Sequence, residues 1–174
     1  MSDEGENRVG QYARRVGEIL GLDAETLEML ELAGSLHDVG KEMLSERIIE
    51  KPGPLTDAEW EAIRRHPELG EAYAREAGHG DDVAEWVRYH HERLDGTGYP
   101  DSLSDEEIPT GAKIIAVLDA YVGMTSPRAY RPPIPAEIAL EELEHAAGKH
   151  FDPQVVDIFV RLVRANLPGG QGQA

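Results

Sequence analysis

Apolar side chains recur along this chain three and four positions apart, the spacing of one face of an α-helix, and nowhere alternate convincingly as a strand would. Tyr12, Val16, Ile19 and Leu20 form a first stripe, stopped by Gly21. Asp23 is placed to cap a second helix that carries Leu27, Leu30 and Leu36 and runs into His37-Asp38. A short segment with Leu44, Ile48 and Ile49 ends at Lys51-Pro52-Gly53-Pro54. Thr56-Asp57-Ala58-Glu59 is a capping box ahead of Trp60 and Ile63: the hydroxyl accepts from the helix start and the Glu three residues on reaches back. His66-Pro67 interrupts the periodicity and predicts a junction between two helices, because proline disfavours helical geometry in the residue before it and suits a first turn. Asp81 or Asp82 is the expected cap of a helix with Val83, Trp86 and Val87 that leads to His90. After a loop through Pro109, GAKIIAVLDAYVGM reads as a helix buried on most faces. Pro135 opens another helix, and Asp152-Pro153 supplies a cap and a first-turn proline for the last. The expected architecture is all-α: one compact bundle of seven to eight helices over residues 1–167, with a flexible tail over 168–174.

Composition narrows the function. The 174 residues are 40% hydrophobic, enough for one domain with a real core. A formal net charge of −17 argues against nucleic-acid polymers and anionic membranes as partners, so any anionic ligand needs a locally positive site. With no cysteine, disulfides and thiolate metal sites are excluded, and a transition metal would have to use His, Asp or Glu. The start, MSDEGENRVG, is polar and acidic, and no apolar run approaches the roughly 18 residues of a membrane span, so a cytoplasmic protein without membrane insertion is expected.

Of the seven histidines, four are placed suggestively: His37 beside Asp38, His66 at the helix junction, and the adjacent pair His90 and His91. Successive residues of a helix point about 100° apart, so the pair would have to straddle one ion. Asp119 lies inside the apolar run Ile114 to Leu118, where a carboxylate needs a partner: a metal, an arginine or a helix cap. His79, His145 and His150 carry no assigned chemistry. Together, dispersed His and carboxylate ligands suit a dinuclear site inside a bundle, Asp38 bridging while His37 and Asp119 hold one ion and His66, His90 and His91 the other. Two such ions lower the pKa of bound water towards about 7 and stabilise charge developing on a phosphoryl group.

On HDVGK (37–41), KPGPLT (51–56), His66, HHERLDGTGYP (90–100), Asp119, TSPRAYR (125–131) and FDP (151–153), in that order, the chain resembles the HD-GYP family, the branch of HD-domain metal phosphohydrolases that degrades cyclic di-GMP in bacteria. The resemblance implies His37, Asp38, His66, His90, His91 and Asp119 as ligands of two divalent transition-metal ions, with iron or manganese fitting the ligand set and zinc and nickel also suited to it. It implies Asp38 and Lys41 as the catalytic pair, and Lys41, Tyr99, Arg128 and Arg131 as contacts to cyclic di-GMP. A separate sensor, receiver or diguanylate cyclase protein would supply regulation.

The chain departs from the family at two places. An upstream Glu and His, four residues apart, would fall near Met1 and Gly5, and no histidine precedes His37. A second Asp three positions after Asp119 is here Val122, followed by Gly123. The six remaining ligands still permit two ions. The departures leave two alternatives beside hydrolysis of cyclic di-GMP: a weak or inactive module that binds the dinucleotide or a partner protein, and an HD phosphohydrolase acting on another nucleotide.

Overall fold

The computed structural model describes residues 3–49, 51–127 and 132–167, with the side chains of the first few residues left aside. Its helices are α1 (Asp3–Leu20), α2 (Ala24–Leu36), α3 (Glu46–Ile49), α4 (Asp57–Ile63), α5 (His66–Glu76), α6 (Asp81–Tyr89), α7 (Thr110–Thr125), α8 (Ala136–Ala146) and α9 (Pro153–Arg164). Short 3-10 turns span Val39–Met43 and Asp105–Glu107. Apart from the one-turn α3, this is a bundle of eight helices, as the periodicity implied, and the described residues contain no strand, only two isolated bridges. None of the described helices is long and apolar enough to cross a membrane. The tail expected over 168–174 lies outside the described residues.

The core is built around α7. Ile114, Ile115, Val117, Leu118, Tyr121 and Val122 are buried on it, and it packs against α1, α6, α8 and α9. Tyr12, Tyr121 and Phe159 meet edge to face, with centroids 5.0–6.2 Å apart, joining α1, α7 and α9 through aromatic contacts. The face of α1 that enters the core is Val9, Ala13 and Val16, whereas Ile19 is exposed. Of the expected stripe, Val16 is buried and Tyr12 and Leu20 pack against the core, and Ile19 alone faces out.

Caps fix several helix starts. Asp23 accepts from Thr26 N at 2.9 Å, and Asp152 from Gln154 N and Val155 N. The capping box of α4 is complete, and Lys51 of the KPGPLT segment adds an ion pair to Glu59 at 2.6 Å. That lysine and the Thr56 donors hold the half-buried Glu59 carboxyl down at about 2. At α6 the cap is Gly80, with φ 89°, rather than Asp81 or Asp82; both acids lie in the first turn, where negative charge is favoured by the helix dipole.

One close approach sets the geometry of the later site. The turn at Val39–Met43 packs directly on α5, and a Cβ on Gly40 would lie 1.9 Å from the carbonyl oxygen of His66 and 2.7 Å from Gly70 N. Only glycine allows the chain after His37-Asp38 to reach His66. Gly40→Ala must push these backbones apart and is expected to destabilise the fold by about 1–3 kcal/mol, the usual cost of overpacking, as read from urea midpoints.

Candidate metal centre

Three histidines sit where a helix runs out. His37 caps the C-terminus of α2, His90 that of α6, and His66 follows the end of α4 at the junction with α5. The last carbonyls of a helix lack intrahelical partners. Each imidazole uses one: Nδ1 of His37, His66 and His90 donates to the carbonyls of Gly34, Ile63 and Val87, all at 2.7 Å. A carbonyl only accepts, so Nδ1 carries a proton and each ring turns its Nε2 inward. The same arrangement orients ligand histidines in metal sites.

What these nitrogens face is Asp38, which is 2% exposed. Its Oδ1 lies 3.3 Å from His66 Nε2; its Oδ2 lies 3.6 Å from His37 Nε2 and 2.6 Å from Lys41 Nζ. His37 Nε2 is also 3.4 Å from Asp119 Oδ1. His90 keeps helical backbone angles, φ −66° and ψ −12°, and Glu92 N turns back to Tyr89 O, so the two histidines leave the end of α6 as helical neighbours. Their rings lie 4.0 Å apart, centroid to centroid.

Two groups of ligand atoms result, each within 4.8 Å: Asp38, His66, His90 and His91; and His37, Asp38 and Asp119. Asp38 belongs to both. Two observations fit this pair of clusters to cations. His37 Nε2 and Asp38 Oδ1 are buried without a hydrogen-bond partner. His66 Nε2 and His90 Nε2 are 3.4 Å apart, yet both rings have their protons on Nδ1. Two lone pairs at that distance need a positive charge between them.

The electrostatics differ between the two groups. Burial alone would lower His37, but the carboxylates of Asp38 and Asp119 outweigh it and raise the ring to about 9, so beside these carboxylates it carries the positive charge that a cation would replace. Burial drives His90 well below its ordinary value and, with His66 and Lys41 adding to it, takes His91 down to about 3, so both are neutral imidazoles. Burial would raise Asp38 and Asp119, but both are held well below the usual carboxylate range, with His37 the leading opposing influence on each.

The turn after the histidines is fixed from below by Glu92, a residue to which sequence reasoning gave no role. Its buried carboxylate accepts from Asp101 N at 2.7 Å and Leu103 N at 3.0 Å. Arg88 of α6 grips Asp101 through two bonds of 2.8 and 2.9 Å and reaches Glu71 of α5 at 2.8 Å. Gly98 lets the loop lie against the histidine turn: a Cβ there would come within 2.5 Å of Arg93 N and Glu92 Cα. The loop, with its cis Tyr99-Pro100 bond, stacks Tyr99 on His91 at 4.7 Å, and the guanidinium of Arg64 lies 5.6 Å from the centre of the Tyr99 ring. Arg64 was also missed; nothing in the local pattern separates it from an ordinary surface arginine.

Lys41 and Tyr99 therefore flank the ligand cluster, while Arg128 and Arg131 lie outside the described residues. Val122, standing where the family pattern has a second Asp, is a core residue 1% exposed. Of the absent upstream pair, Met1 lies outside the described residues, and Gly5 offers no ligand atom.

Residues 2–155 match the HD domain family. The chain is 38% identical over 157 residues to a cyclic di-GMP phosphodiesterase of Thermotoga maritima, covering 89% of this chain and 43% of that one. It is 35% identical over 169 residues to a 3'3'-cGAMP-specific phosphodiesterase of Vibrio cholerae, covering 92% and 32% respectively. It thus spans less than half the length of these relatives. Among solved structures, an HDG"Y"P protein of Bdellovibrio bacteriovorus superposes with a TM-score of 0.74 over 93% of this chain and 52% of that one, at 18% identity, which bears on the fold. The ordered motifs, the helix-end histidines converging on Asp38 and these likenesses lead to one assignment: the chain belongs to the HD domain family, in its HD-GYP branch.

Proposed function

We propose that this chain is a metal-dependent phosphodiesterase that hydrolyses cyclic di-GMP to the linear dinucleotide, and onward to GMP. The observation that carries this reading is the sharing of Asp38 by two buried groups of ligand atoms. The names of the relatives, phosphodiesterases of cyclic di-GMP and of 3'3'-cGAMP, support the substrate class.

His37, Asp38 and Asp119 would hold one divalent ion, and Asp38, His66, His90 and His91 the other. Iron or manganese is proposed, since imidazole and carboxylate without thiolate suit both. When bound, such a pair supplies an activated water and charge stabilisation at phosphorus. The chain itself does the rest. The Gly34, Ile63 and Val87 carbonyls keep the histidine protons on Nδ1, so the Nε2 atoms stay available as ligands. Lys41 Nζ, beside Asp38, presents an ammonium to a phosphate oxygen and to the departing 3′ oxygen. Tyr99 is raised above its ordinary value by burial, with Asp119 and Asp38 adding to it, so its hydroxyl stays protonated and donates. Arg128 and Arg131 are proposed to reach the dinucleotide from the segment after α7, as the family resemblance implies.

The buried Val122 favours a second reading, a module that binds the dinucleotide with little turnover. Measured metal content decides between them: below one ion per chain with nucleotide binding retained, the second reading holds. The named relatives also make 3'3'-cGAMP the first competitor in a substrate panel.

Purified protein loaded with iron or manganese is expected to convert cyclic di-GMP to linear product, followed by chromatography. Metal bound at two ions per chain with no product would refute the hydrolytic reading. Lys41→Met is expected to lower kcat about 10²–10³-fold, the usual loss on removing one donor from a developing oxyanion, with KM little changed. Arg128→Ala and Arg131→Ala are each expected to weaken dinucleotide affinity about tenfold or more, roughly the loss of one charge-assisted bond, measured by calorimetry.

A further inference from the structure

On the outer face of α4 lies an open depression of about 320 Å³ lined by Asp57, Trp60, Glu61 and Arg64. These positions are i, i+3, i+4 and i+7, so one face of α4 and its cap builds the whole site. The volume is at the lower end of small-molecule sites, about 300–1,000 Å³, and suits part of a dinucleotide rather than all of it. Trp60 is 50% exposed, an aromatic ring that the core does not use. The Arg64 side chain is 55% exposed, and its ion pair to Glu61 is long at 3.7 Å. Its guanidinium lies over Tyr99, which stacks on His91 of the ligand cluster. The concavity is therefore one aromatic ring removed from the proposed centre.

We propose that this concavity is a guanine subsite, and that Arg64 and Trp60 determine the nucleobase the chain accepts. The lining matches that base group by group. Trp60 offers a stacking face, which any base accepts. Arg64 has only donors, and the Hoogsteen edge of guanine has only acceptors, N7 and O6; adenine places a donor, N6–H₂, where O6 would be. Asp57 and Glu61 have only acceptors and suit the N1–H and N2–H₂ donors of guanine, whereas N1 of adenine is an acceptor that they would repel. The same two carboxylates disfavour a phosphate there, which sets this subsite apart from the charge-binding role of Lys41. A base held on α4 leaves its own phosphate to reach across Tyr99 towards the ligand cluster. The α4 scaffold is stiffened for this by its capping box and by the Lys51 pair to Glu59.

The subsite rests on the proposed cyclic di-GMP activity for its biological substrate, but it is testable without turnover. Trp60 is the exposed one of the two tryptophans, Trp86 being 8% exposed, so indole emission reports on the concavity. GMP is expected to quench it with a midpoint about tenfold below that of AMP, and Arg64→Gln to remove the difference while leaving thermal stability unchanged. Trp60→Tyr removes the signal and confirms its source. In turnover, Trp60→Ala and Arg64→Gln are expected to raise KM for cyclic di-GMP roughly tenfold with kcat within about twofold, the range of one lost base–aromatic stacking contact. Equal quenching by GMP and AMP, or an Arg64→Gln protein that still distinguishes them, overturns the guanine subsite. So does an unchanged KM in both variants of an active enzyme, while the hydrolytic reading stands. GMP-selective quenching in a protein that turns over no cyclic di-GMP upholds the subsite and refutes the hydrolytic reading instead.

Discussion

The structure turns on one buried carboxylate. Asp38 is almost without solvent, and an isolated carboxylate in such a place would cost several kcal/mol or neutralise itself. It does neither, because the raised, positively charged His37 and the Lys41 ammonium lie beside it, with His66 Nε2 at 3.3 Å, and hold it ionised. Those groups come from the end of α2, the α4–α5 junction and the Val39–Met43 turn. The packing of these elements and the compensation of one charge are thus the same requirement. Gly40 shows how tight that requirement is, since a single methyl would collide with the backbone of His66.

A second principle organises the histidines. Helix C-termini leave carbonyls unpaired, and His37, His66 and His90 each satisfy one from the third residue back. The helix ends gain a donor, and the rings gain a fixed tautomer with Nε2 pointing at Asp38 or its neighbours. Ligand orientation is therefore a by-product of helix termination rather than a separate layer of supporting side chains. The GYP turn follows the same economy: Glu92 and Arg88 satisfy its backbone and its Asp101, and that brings Tyr99 onto His91.

Much of this was legible before any coordinates. The helical periodicity, the capping box at Thr56 and Glu59, the cap at Asp152 and the junction at His66-Pro67 are local signals, and all reappear in the fold. Where local signals competed, the reading slipped. Asp81 and Asp82 looked like caps, but Gly80 takes the positive φ that the preceding turn demands. Ile19 looked like core alongside Tyr12, Val16 and Leu20, but it alone of the four is exposed. Glu92 and Arg64 carried no signal at all: one is an acid in a polar stretch, the other an arginine on a short amphipathic helix, and only contact with distant backbone and with Tyr99 distinguishes them.

The sequence by itself determined the helices, the stock of imidazole and carboxylate ligands, and the absence of thiolate chemistry, because these depend on residue type and on spacing of a few positions. It also marked the order of motifs from which the family could be named. Tertiary structure alone decided which side chains share an ion's worth of space. Asp38, His66, His90 and Asp119 are far apart along the chain, and their convergence to within a few ångströms is set by how α2, α5, α6 and α7 pack. It decided as well that Trp60 stays outside the core while Arg64 leans over Tyr99, so that an unremarkable turn of α4 is linked through that ring to His91. Periodicity fixes which face of a helix is apolar, but only long-range packing fixes what the polar face looks upon.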